Sequence, residues 1–99
     1  MSFRTTFMPG VTIVLALGPT SSRAALPTQG GNVRIVNDSP GNAWIEFGPL
    51  DVVAAPSGSM LLLPGTTALM RVPSAATHIA GVTVAKGSGS LNITFGDGA

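Results

Sequence analysis

Few residues in the sequence could do chemistry. His78 is the only histidine, and imidazole is the side chain best suited to moving protons near neutral pH. A hydrolytic triad needs that imidazole in contact with both a nucleophile and an orienting acid. The four carboxylates, Asp38, Glu46, Asp51 and Asp97, stand singly along the chain. Asp38 opens a turn beside Pro40, where an aspartate bonds local backbone N–H groups, and Asp97 lies in a Gly-Asp-Gly tail. A calcium site needs several oxygen ligands together, and the absence of cysteine excludes thiolate metal sites and disulfides. Gly87-Ser-Gly89 lacks the lysine and the following helix of a phosphate-binding loop. Asn37-Asp-Ser39 and Asn92-Ile-Thr94 match the glycosylation acceptor pattern, which has meaning only on a eukaryotic secretory route. The expectation is a protein that is not an enzyme, with no catalytic residue, no cofactor and no metal. Trp44, the sole tryptophan, could stack on a sugar or anchor an interface. It could equally be packed in a strand buried on both faces.

The elements around these residues read as strands. Extended runs at 11–16, 23–26, 33–36, 43–47, 51–54, 59–63, 67–72, 78–85 and 90–95 are punctuated by Gly18-Pro19, Pro27, residues 37–42, Pro56-Ser-Gly58, Pro64-Gly65, Pro73-Ser74 and Gly87-Ser-Gly89. Short runs at such spacing predict a small antiparallel β-sandwich or barrel of about eight strands. No segment carries a capped helical face of apolar residues. Leu91, Ile93 and Phe95 alternate with Asn92 and Thr94, which predicts one buried and one wet face. The Gly87-Ser-Gly89 link predicts a hairpin with residues 78–85.

A second hairpin is expected over residues 33–47. Pairing Val33 with Phe47 places Ile35 opposite Ile45 on one face. Arg34 then stands opposite Glu46, and Val36 opposite Trp44, on the other. Opposite charges and aromatic–branched pairs are favourable cross-strand neighbours, about 0.2–1 kcal/mol each, and a one-residue slip would break both.

The chain has 99 residues, enough for one domain. Charged residues make up 9% of it, against about 25% in a typical globular protein. A surface of Ser, Thr, Asn and Gly repels other copies weakly and suits a protein that works in contact with neighbours. The net charge is +1, with Arg4, Arg23, Arg34, Arg71 and Lys86 scattered singly. Nucleic-acid binding needs clustered cations, so no nucleic-acid partner is expected. No run reaches the 18 or more apolar residues of a membrane helix, and no membrane partner is expected.

Residues 1–24 imitate a secretory signal: Arg4, an apolar stretch at 11–17, and a small-x-small pattern at 22–24. That stretch is seven residues long and rich in β-branched side chains, which favour a strand. The preferred reading is an N-terminal arm at residues 1–10 followed by a single β-sandwich domain at 11–99. Phe3, Phe7 and Met8 of the arm, with Trp44, are the candidate interface residues.

Short motifs along residues 20–98 carry a resemblance. They are Arg-Ala-Ala-Leu-Pro at 23–27, Val-Arg-Ile-Val-Asn at 33–37, Ala-Trp-Ile-Glu-Phe-Gly at 43–48, Leu-Pro-Gly at 63–65, Ala-Thr-His-Ile-Ala at 76–80 and Ile-Thr-Phe-Gly-Asp-Gly at 93–98. The pattern resembles small virion structural proteins of tailed bacteriophages. The resemblance implies a capsid decoration or cement subunit, located on the virion surface. It would be oligomeric there and bound to the major capsid protein and to copies of itself. Two alternatives stay open: a receptor- or glycan-binding module on a tail or fibre, and a secreted β-domain.

Overall fold

The computed structural model describes residues 8–27, 31–56, 58–83 and 89–97. Eight strands follow the alternation of apolar and polar residues: β1 (Met8–Leu17), β2 (Ser22–Ala25), β3 (Asn32–Asp38), β4 (Ala43–Gly48), β5 (Met60–Leu62), β6 (Thr67–Arg71), β7 (His78–Thr83) and β8 (Gly89–Asp97). They form two antiparallel sheets of four, ordered β1-β8-β3-β6 and β2-β7-β4-β5. Among the described residues there is no helix. The fold is the all-β sandwich that the sequence predicts.

The pairing has one simple rule. Met8 faces Asp97, Ser22 faces Gly81, Asn32 faces Arg71 and Ala43 faces Leu62. The chain is therefore one long antiparallel ribbon, doubled back at the β4–β5 connection and wound so that successive strands fall in alternate sheets, except β4 and β5, which pair in one. Further pairing of β3 with β8 and of β4 with β7 closes each sheet. This is the jelly-roll topology.

Inward-facing residues of both sheets make one core. Leu15, Leu17, Val33, Ile35, Leu91, Ile93 and Phe95 come from the first sheet and Ala43, Ile45, Leu62 and Ile79 from the second. Gly81 lets the sheets approach, since a Cβ there would stand 3.0–3.2 Å from the Leu17, Leu15 and Leu91 methyl groups.

Two expected hairpins are overturned. β3 and β4 lie in different sheets and do not pair. Ile35 and Ile45 are both buried, but they enter the one core from different sheets. Arg34 and Glu46 stand on opposite outer faces of the sandwich, because each alternates with inward residues of its own sheet. The crossing is fixed at residues 37–42. The buried Asn37 amide donates to Gly41 O (3.1 Å) and Leu62 O (2.9 Å) and accepts from Ser39 Oγ (2.6 Å). β7 and β8 likewise fall in different sheets, and β8 pairs with β1 and β3.

Residues 51–54, expected as a strand, form none. Val52 and Ala54 are buried alternately, but against the outer face of the second sheet, where no strand edge is offered to them. At the N-terminus β1 begins at Met8, so the last three residues assigned to the arm belong to a strand. The register of β1 against β8 shifts between Pro9 and Thr12. At this bulge on an edge strand the backbones come close: a Cβ on Gly10 would stand 2.9 Å from Phe95 O.

Candidate interaction surface

The second sheet is covered on both sides at its centre. Its inner face meets the core, and its outer face carries Ala80, Val82 and Trp44. A strap formed by the β4–β5 connection lies over them and inserts Val52 and Ala54. The strap is pinned by Arg23 Nη1 to Val52 O (3.4 Å) and by Ala54 N to Ser21 Oγ (3.0 Å). Its entry is tight: a Cβ on Gly48 would come within 2.8 Å of Val52 Cγ2. Trp44 therefore faces away from the main core, yet it is half-buried beneath the strap.

Next to this covered centre, no strand flanks the sheet edge among the described residues. β5 is the last strand of its sheet. Among the described residues it pairs only with residues 43–45 of β4. Met60 and Leu61 are each 46% exposed and Leu63 is 53% exposed; Leu61 sits directly opposite Trp44. Leu50 and Val53 of the strap are exposed as well. An uncovered, apolar edge strand offers unpaired backbone groups and apolar side chains to another chain. At the start of β5 a cleft of about 350 Å³ is lined by Ile45, Glu46, Phe47, Gly58, Ser59, Met60 and Pro73.

Of the other candidate residues, the described ones lie elsewhere. Phe3 and Phe7 lie outside the described residues. Met8 opens β1 in the other sheet, opposite Asp97. His78 is half-buried at the start of β7, its Nδ1 2.8 Å from Thr77 Oγ1. Among the described residues no three His, Cys, Asp or Glu side chains converge to hold a metal. Of the two acceptor patterns, Asn37 is fully buried and Asn92 is exposed mid-strand on β8.

The edge at β5 was not singled out in the sequence, although its signal is there. Met-Leu-Leu-Leu at 60–63 is a continuous apolar run, which ordinarily marks a strand buried on both faces. Here it lies at a margin instead. Comparison of the chain with protein-family models, curated proteins and solved structures returns no match.

Proposed function

We propose that this chain is a structural subunit of a bacteriophage virion, a capsid decoration or cement protein that works by subunit contacts. The observation that carries the reading is the bare apolar edge at Met60, Leu61 and Leu63. A jelly roll stable as a free monomer gains nothing from such an edge, whereas a subunit docked on a shell covers it. Three further features support the reading. Jelly rolls recur among viral capsid domains. The surface is poor in charge. The motifs at 23–27, 33–37 and 43–48 resemble virion structural proteins. The glycan-binding alternative relied on Trp44 as a stacking platform, and Trp44 is instead packed against the cluster that holds the strap residues Val52 and Ala54.

The test is localisation in particles by cryo-electron microscopy. Density fitting this sandwich on the shell, with β5 against a neighbour, is the expected result. Particles that lack it, or hold it only on tail fibres, contradict the reading.

A further inference from the structure

We propose that the cleft at the start of β5 receives an extended segment of a second copy of this chain, with Phe3 entering the cleft and Arg4 meeting Glu46. The inference rests on the assembly reading above and names the partner at that edge.

The cleft exists because β5 is shorter than β4. β4 runs through Gly48, but β5 begins at Met60, opposite Ile45. Residues 46–48 are paired with β7 on one side and lack a strand on the other among the described residues. The described end of the strap forms a turn, with Gly58 N and Ser59 N bonded to Ala55 O, and Gly58 and Ser59 line the cleft without pairing with residues 46–48. An added strand of two or three residues would complete the ladder there, a common mode of peptide capture. The pleat then dictates its side chains. A residue beside Phe47 points inward toward Ile45, Phe47 and Pro73, and must be apolar. Its neighbour beside Glu46 points outward and should be cationic, because Glu46 is the one charged residue among the described residues of the cleft.

The sequence supplies that pair in one place suited to reach another molecule. Arg23, Arg34 and Arg71 are held within β2, β3 and β6. Lys86 lies in the connection between β7 and β8, tethered at both ends. Phe3-Arg4 remains, in a segment where Phe3, Thr5 and Phe7 alternate with Ser2, Arg4 and Thr6.

The reach from the same molecule's Met8 is short. β1 is the edge of the other sheet. Two strand spacings and one sheet spacing separate it from β4, roughly 14 Å on the diagonal. The four residues from Met8 to Arg4 span at most about 14 Å when fully extended. That leaves no length to round the end loops and reach the outer face where Glu46 stands. A second copy has no such limit, and reciprocal exchange would close a two-fold dimer, while one-way exchange would build a ring or chain.

The test is self-association of the full chain by sedimentation, with charge-swap variants. Arg4→Glu and Glu46→Arg should each lower the association constant by about fivefold or more, since each turns an attraction into a repulsion. Mixing the two variants should restore it, because the segment carrying the new carboxylate on one copy then meets the new guanidinium in the cleft of the other. Glu46→Gln is measured in parallel in case Glu46→Arg does not fold, and should weaken association by about twofold. Association unchanged by Arg4→Glu overturns the proposal, as does a mixture no stronger than its components. A chain that associates by this route but is absent from particles leaves the inference standing and defeats the virion reading.

Discussion

The side-chain amide of Asn37 on β3 donates to the carbonyl of Leu62 on β5 at 2.9 Å, joining one sheet to the other through a fully buried polar contact. Its backbone is used as well: Asn37 N donates to Thr66 O, and Gly65 N donates to Asn37 O. Gly65 has a positive φ of 73°, which a residue with a Cβ adopts only at a cost. The crossings β3→β4 and β5→β6 are thus locked at one end of the sandwich.

Asn37→Ala is expected to destabilise the fold by about 1–3 kcal/mol, because it takes the amide donor from the buried Leu62 carbonyl, while Gly41 O keeps Ser39 Oγ as a donor. Asn37→Asp should cost at least as much, since it sets an acceptor against those same oxygens. Urea unfolding reads both; a change below about 0.5 kcal/mol for both would remove Asn37 as the pin.

The sandwich topology has its own test at Arg34 and Glu46. A hairpin would couple them, whereas opposite outer faces predict additive effects, so a double-mutant cycle should give an interaction within error of zero. Ile45→Ala, by contrast, should cost about 2–5 kcal/mol, as expected for a side chain only 2% exposed. A clear coupling between the two charges would contradict the observed strand order.

Strap closure can be followed through Trp44, the only tryptophan. Gly48→Ala places a Cβ against Val52, and Ser21→Ala removes the acceptor of Ala54 N. Both should lift the strap, shifting Trp44 emission to the red and raising its quenching by acrylamide. Emission unchanged in both variants would show that Val52 and Ala54 do not shield the indole.

These contacts also explain what the sequence could and could not reveal. Strand positions were legible because apolar side chains alternate at 91–95 and β-branched residues dominate 33–36. Pairing was not. Ile35 and Ile45 have the same alternation whether their strands pair within one sheet or face each other across the core, and the turn-rich connection at residues 37–42 permits both. The buried role of Asn37 distinguishes the two, and an asparagine in a turn-rich stretch gives no hint of burial. Val52 and Ala54 showed the right inward rhythm at 51–54 but cover the outside of a sheet. The compensating signal was in β7, where Ala80, Gly81, Val82 and Thr83 form an unbroken buried run. A strand in an antiparallel sandwich reads that way only if something covers its second face.

The assembly surface is tested most directly by particle occupancy of a Leu61→Ser/Leu63→Ser variant, measured against wild type after checking that the isolated subunits unfold at similar denaturant concentrations. Both leucines are about half exposed, so the variant should keep most of its stability and lose its place on the particle. Full occupancy of the variant would contradict the claim that the β5 edge is the surface through which this protein binds its neighbours.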